Sequence, residues 1–183
     1  LTAFVCIILG MGMPTTGVYL LLATLAAPPM IKLGIEPMSA HMFVLYFGML
    51  SMITPPVAIA AFTAASLSGA SPMATAVSAV RFGWPAYVVP FLFVLSPTLL
   101  LYGEPGAIAI AIATALAGVW AATVGIAGYL RNRLVLWQRV AMGLGGLALL
   151  IPPRALPGAL WVNIAGALIV GATVFLCLRT ARP

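Results

Sequence analysis

Two short clusters carry the residue types that could do chemistry in this chain. The first combines Gly10, Gly12 and Gly17 with Met13, Pro14, Thr15 and Thr16; the second is Thr54-Pro55-Pro56. Pro56 has no N–H, and its ring disfavours helical geometry at Pro55, so the paired prolines open a helix rather than merely bend it. An opened helix frees peptide carbonyls. Together with the hydroxyls of Thr15, Thr16 and Thr54 they form a set of neutral oxygens of the kind that holds a hard cation such as Na⁺. Gly10 and Gly12 permit close backbone approach. The same residues also suit a packing kink, because glycine and proline are common in membrane helices.

Other chemistry has little to work with. The chain holds two carboxylates, Glu36 and Glu104, and one histidine, His41. Both carboxylates fall near expected water boundaries, and His41 sits close to the end of its apolar segment, where an interfacial or packing role accounts for it. General acid–base catalysis needs groups positioned together, and no nucleophile–histidine–acid set or phosphate loop is visible. Lys32 and Glu36, four apart around Gly34, read as a solvated turn. Cys6 and Cys177 lie singly in apolar runs and read as small packing residues.

The elements that must position the two clusters are membrane helices. The chain has 183 residues, is 64% hydrophobic and carries only 5% charged residues, with a mean hydropathy of +1.22; a soluble domain carries about 25% charge. The net charge of +6 does not indicate nucleic acid, because the cations stand singly or in pairs between long apolar runs instead of clustering on a polar face. Lipid is therefore an expected partner. The chain begins inside an apolar run, at Leu1, and is read as the C-terminal piece of a longer protein.

A membrane-spanning helix needs about 20 apolar residues. Residues 105–130 and 157–178 meet that without a charge, 84–103 does so with three prolines and is expected to bend, and 134–151 is shorter, with Arg139 near its start. Residues 71–82 open with Ser71 as N-cap and Pro72 at the first helical position, are too short to span, and are expected along the cytoplasmic interface. Residues 38–69 form a span broken at Thr54-Pro55-Pro56. Residues 1–31 read either as a re-entrant hairpin with its tip at 10–17 or as one kinked span; charge cannot separate these. Small residues every fourth position, Ala60, Ala64 and Ser68 and then Ala113, Ala117, Ala121 and Gly125, are expected to form packing stripes. Placing Arg131 and Arg133 in the cytoplasm puts Arg81, Arg139, Arg179 and Arg182 there too and only Arg154 of that region outside, so the positive-inside rule places the C-terminus in the cytoplasm.

The stretches GMGMPTT at 10–16, AHMFVLYFG at 40–48 and ITPPVAIAA at 53–61 resemble the large membrane subunit of tripartite ATP-independent periplasmic (TRAP) transporters, and are most similar to the fused permease that serves TAXI-type binding proteins. The likeness is close over residues 4–102 and loose beyond. It implies an all-α, polytopic fold of the elevator type, with a re-entrant hairpin and a discontinuous helix. Residues 1–83 would be the second-repeat transport region (hairpin 1–31, broken helix 38–69, interfacial helix 71–82), and 84–183 the C-terminal transmembrane helices.

The resemblance also implies a function: sodium-driven import of an organic anion across the bacterial inner membrane, delivered by a periplasmic TAXI-type binding protein, with no cofactor beyond the coupling ion. The first repeat would lie in the remainder of the permease. Carried onto this sequence, the cation positions are Gly10, Gly12, Met13, Thr15, Thr54 and Pro55, and the substrate positions Pro14, Thr16 and Pro56. The sequence departs from many dicarboxylate and sialic-acid relatives at Pro14, where they carry Asp. A channel lined by midplane helix breaks is the alternative class, and an intramembrane enzyme would need catalytic groups from elsewhere.

Overall fold

The computed structural model describes residues 1–152 and 158–180. Among them the chain is built of helices, with one isolated bridge in a loop. They form two compact units, Leu1–Leu100 and Leu101–Pro183. The expected boundary at 83/84 divides the chain by topology; by packing, residues 84–100 go with the first unit.

The first unit contains α1 (Thr2–Gly10), α2 (Thr15–Leu25), α3 (Ala27–Lys32), α4 (Pro37–Leu50), α5 (Ile59–Ser68), α6 (Pro72–Phe82) and α7 (Trp84–Leu95), followed by a 3₁₀ turn over Pro97–Leu100. Helix α4 is its hub, with α1, α2, α3 and α7 packed around it. Its buried residues Ala40, Phe43, Val44 and Phe47 recur at the three- and four-residue steps that keep one helical face inward. Cys6 of α1 and Val18 and Leu22 of α2 complete that core, and Phe91 of α7 sets its ring edge against Phe43 and Phe47.

Two polar contacts fix the ends of α4 and α7. Glu36 caps α4 by accepting the backbone N–H of Ser39 at 2.8 Å. That hydrogen bond holds its carboxyl below the usual carboxylate range. The pair Lys32 and Glu36 does flank a turn at Gly34, whose φ is +90°, but the carboxylate does more than face water. At α7 the chain breaks at Ser96, which is extended (φ −153°, ψ 106°) because it precedes Pro97. The carbonyl of Phe93 would meet the N–H of residue 97 in a continuing helix, and proline has none. Buried Ser39 donates its hydroxyl to that carbonyl instead, at 2.9 Å. The bent span expected over 84–103 therefore ends as helix at Leu95.

Helix α6 begins at Pro72 as expected, although the Ser71 side chain makes no capping bond. It meets α7 at Gly83 with a bend of 41°, and the two together are long and apolar enough for one broken crossing.

The second unit contains α8 (Pro105–Ala127), α9 (Leu136–Leu150) and α10 (Ala159–Thr180). Among the described residues, α8 and α10 are the helices long and apolar enough to cross a membrane singly. Arg154 and Arg182 lie outside the described residues. Glycines set the packing. A Cβ on Gly118 would lie 2.8 Å from the Gly146 carbonyl, one on Gly125 2.8 Å from Gly143 N, and one on Gly145 2.8 Å from Val170.

The four-residue stripes hold only at Ala121 and Gly125 of α8. In α8 the buried small residues are Ala111, Gly118, Ala121, Ala122 and Gly125, while Ala113 and Ala117 are exposed. In α5 they are Ala61 and Ala65, while Ala60, Ala64 and Ser68 are exposed. Four residues advance a helix by about 40° beyond a full turn, so such a stripe winds off a straight interface within three steps. The seven-residue step of 111, 118 and 125 drifts by only about 20°.

Ser39→Ala leaves the Phe93 carbonyl buried without a donor and is expected to cost about 1–3 kcal/mol. Thermal unfolding of the purified full-length protein in detergent checks this; an unchanged melting temperature would show that the carbonyl finds another partner.

Candidate functional site

The first break is a hairpin tip. Helix α1 ends at Gly10, residues 11–14 turn, and α2 begins at Thr15. The turn reverses the chain, because residues on both sides of it touch one spot on α4. A Cβ on Gly10 would lie 2.9 Å from the Gly48 carbonyl and 2.8 Å from Ser51 Oγ, and a Cβ on Gly48 would lie 2.5 Å from Val18 Cγ1. Residues 2–25 thus fold as a helical hairpin with its turn at 11–14. The missing side chains at Gly10 and Gly48 let the α1 backbone and the Val18 side chain close on α4.

Glycine acts differently at Gly12. Its φ is +83° and nothing stands within 4 Å of a Cβ placed there. The sequence expectation of close backbone approach holds at Gly10 and fails at Gly12, which is needed for its left-handed backbone at the turn.

The second break runs from Ser51 to Ala58, wider than the two prolines alone. Helix α4 stops at Leu50, the Pro55–Pro56 peptide is cis, and α5 starts after Ala58, which is fully buried in the left-handed region (φ 36°, ψ 48°). A non-glycine residue in that conformation costs about 1–2 kcal/mol. Its N–H is held by the Thr54 carbonyl at 3.2 Å, and Ala60 N–H reaches back to the Met52 carbonyl at 3.0 Å. Among the described residues these and the neighbouring turn bonds occupy the carbonyls of Leu50, Met52 and Thr54, and none falls on those of Ser51, Ile53, Pro55, Pro56 or Val57. At the tip, the carbonyls of Leu9, Met11 and Gly12 likewise accept no backbone bond.

Thr54 is already in a network. Its hydroxyl donates to the Leu50 carbonyl at 2.6 Å and lies 2.7 Å from the Tyr87 hydroxyl. Since Thr54 has spent its one proton on Leu50, Tyr87 is the donor in the second bond. A hydroxyl oxygen has two lone pairs, so one remains. Tyr87 of α7 is the functional candidate that the sequence reading missed. Its signal was a lone phenol inside the apolar run WPAYVVP, but nothing local ties it to a residue on α4. The cavity beside this pair, about 250 Å³ between Tyr46, Met49, Leu50, Ile53 and Ala86, is almost wholly apolar, so it offers no charge to an anion.

The sequence-derived positions thus separate. Gly10 and Met13 are packed against α4's core and bind the tip to it. Thr54 and Pro55 are half-buried in the break. Gly12, Pro14, Thr15, Thr16 and Pro56 are exposed. His41 is half-buried, with Nδ1 3.1 Å from the Tyr19 hydroxyl, a contact between α4 and α2 away from both breaks.

The electrostatic layout follows from chain direction. Gly10 and Ser51 lie side by side, so the C-terminal ends of α1 and α4 converge. Each presents carbonyls and partial negative charge. Thr15 opens α2 immediately across the tip, with Pro14 as N-cap and no side-chain cap, so its first-turn N–H groups present partial positive charge. The tip therefore has a cation-attracting side next to an anion-attracting one.

The family described as "Tripartite ATP-independent periplasmic transporter, DctM component" matches residues 1–105, the segment that contains both breaks. No curated protein and no solved structure matches the chain.

Gly10→Val is expected to abolish transport and lower stability by forcing the tip off α4. Gly12→Ala, which meets no neighbour, is expected to cost only about 1–2 kcal/mol for its left-handed backbone. Melting temperature and membrane-insertion level of the two variants, side by side, check the distinction; equal damage would mean that space matters at both.

Proposed function

Because the chain belongs to the DctM family of tripartite ATP-independent periplasmic transporters, we propose that it forms the second half of a sodium-coupled permease that imports organic anions. The family is one of transporters and not of enzymes, and its large components are multi-pass membrane proteins that work with a periplasmic substrate-binding protein and a small subunit. The finer reading is that this permease is of the fused kind served by a TAXI-type binding protein, in the bacterial inner membrane with its C-terminus in the cytoplasm.

The observation that carries the proposal is the meeting of Gly10 with Ser51. It brings two carbonyl-rich helix ends together in a segment of almost no charge, where freed carbonyls need a partner. A sodium ion supplies one. The cation set is the carbonyls around Gly10, Gly12 and Met13, the Thr15 hydroxyl, and Thr54 with Pro55 in the opposite break. A carboxylate then sits at the α2 N-terminus near Pro14 and Thr16, with Pro56 at its edge. Sodium bound first cancels the partial negative charge of the carbonyl cluster, and the site then accepts an anion. That order makes uptake depend on sodium without any protein carboxylate. The hairpin and α4 share one core, which suits an elevator-type movement in which both breaks travel together.

Uptake by the complete permease in proteoliposomes, with and without a sodium gradient and the purified binding protein, tests the reading; anion uptake indifferent to sodium would overturn it. Within that assay, Thr54→Ala is expected to raise the sodium concentration for half-activation about tenfold, the worth of one hydrogen-bond-scale ligand, while Thr54→Ser stays near wild type. Tyr87→Phe removes the donor that orients the Thr54 oxygen and is expected to give a smaller shift in the same direction. If Thr54→Ala keeps wild-type sodium activation, that oxygen is not a ligand.

A further inference from the structure

The second unit carries a feature outside the proposed transport site: a layer of arginines at one end of its helices, with no acid beside them among the described residues. Helix α8 is followed by a tight turn. Gly128 ends it in the left-handed region, Leu134 N–H bonds the Gly128 carbonyl at 2.9 Å, and Tyr129 bridges Arg133. The turn is clamped from α9, where Arg139 donates Nε to the Gly125 carbonyl and Nη2 to that of Ile126, at 3.2 and 3.0 Å. A guanidinium on the last carbonyls of a helix also offsets its terminal partial charge. The result is a fixed loop that presents Arg131 and Arg133 as exposed side chains.

The packing register brings a further cation to the same level. Gly118 lies against Gly146 and Gly125 against Gly143, so α8 and α9 run antiparallel. Asn163 of α10 donates to the Ile151 carbonyl at 2.7 Å, and Gly166 lies against Ala148. About three turns from the Asn163–Ile151 contact, Arg139 on α9 and Phe175 on α10 reach the same layer. Arg179, one turn beyond and stacked 4.5 Å over the Phe175 ring, is level with the loop. Glu104, the single acid of this unit by sequence, stands at the opposite end of α8.

The loop also carries apolar anchors. Tyr129 is 59% and Trp137 54% exposed, with Val135 and Leu136 exposed between them. Amphipathic rings at the end of a membrane helix settle at headgroup depth. Arginines at that depth, with no carboxylate at their end of the helices among the described residues of this unit, match phosphate oxygens in geometry and charge.

We propose that the α8–α9 loop, with Arg131 and Arg133 as ligands and Arg179 alongside, is a binding site for the headgroup of an acidic phospholipid in the leaflet it faces. Arg139 is a positioning residue, because its guanidinium is occupied in holding the loop. This site is independent of the sodium and substrate reading.

The test uses the full-length permease purified in mild detergent and exposed to equal amounts of phosphatidylglycerol and phosphatidylcholine with the same acyl chains, read by native mass spectrometry. Wild type is expected to retain phosphatidylglycerol preferentially. Arg131→Gln with Arg133→Gln is expected to reduce that preference about tenfold or more, since each surface cation is worth roughly a fivefold gain toward an acidic membrane. Arg131→Lys with Arg133→Lys keeps the charge and is expected to retain most of it. Both substituted side chains are exposed, so insertion and melting temperature of the lysine pair report any folding loss separately. Equal retention of the two lipids by wild type, or the same preference in the glutamine pair as in wild type, would overturn the assignment, as would displacement of the lipid by millimolar inorganic phosphate.

Discussion

Peptide groups released from a helix in hydrocarbon have no water to bond with, and each one left unpaired costs several kcal/mol. The first unit shows three ways of meeting that demand. Ser39 gives its hydroxyl to the carbonyl that Pro97 leaves without a donor. Thr54 gives its hydroxyl to the Leu50 carbonyl at the end of α4. The rest of the break folds back on itself, with Ala60 and Ala58 N–H groups taken by Met52 and Thr54 carbonyls. Left over in the break are the carbonyls of Ser51, Ile53, Pro55, Pro56 and Val57, while the two prolines bring no N–H of their own. A break with more free acceptors than free donors favours a cation over an anion. That imbalance, more than any single side chain, defines the site.

The sequence announces such places plainly, since they are made of residues that cannot continue a helix. Gly10 to Gly17 and Thr54 to Pro56 were readable as breaks for that reason, and so was the start of α6 at Pro72. The hairpin direction was not, because it depends on Gly10 and Val18 both reaching Gly48, and no charge marks either arm. The role assigned to Gly12 was half legible: its identity signals a special position, but a left-handed turn and a close approach ask for the same residue. Tyr87 was not legible at all. It meets Thr54 only through the packing of α7 on α4, a contact between distant parts of the chain that no local period encodes.

Helix packing was misread in an instructive way. A stripe of small residues at every fourth position looks continuous in a sequence, yet on a real helix it spirals away from its partner. The faces that are buried follow the seven-residue step through Ala111, Gly118 and Gly125, and in α5 the stripe is displaced by one residue, to Ala61 and Ala65. Van der Waals contact drives association where lipid removes the hydrophobic gradient, so the residues that matter are those whose missing side chain another backbone fills, and only the fold identifies them.

The two units therefore hold together by different means. In the second, helices pack closely through Gly118, Gly125, Gly145 and Gly146. In the first, aromatic rings and single hydroxyls support helices that stop short, and the contacts at Gly10 and Gly48 depend on absent side chains. An ion at the tip would replace, for the freed carbonyls, the partners that a continuous helix would have supplied. Its binding and release would change the stability of the hairpin's attachment to α4. Coupling of ion occupancy to movement would then need no dedicated switch, because the carbonyls proposed to hold the ion lie where the hairpin meets α4.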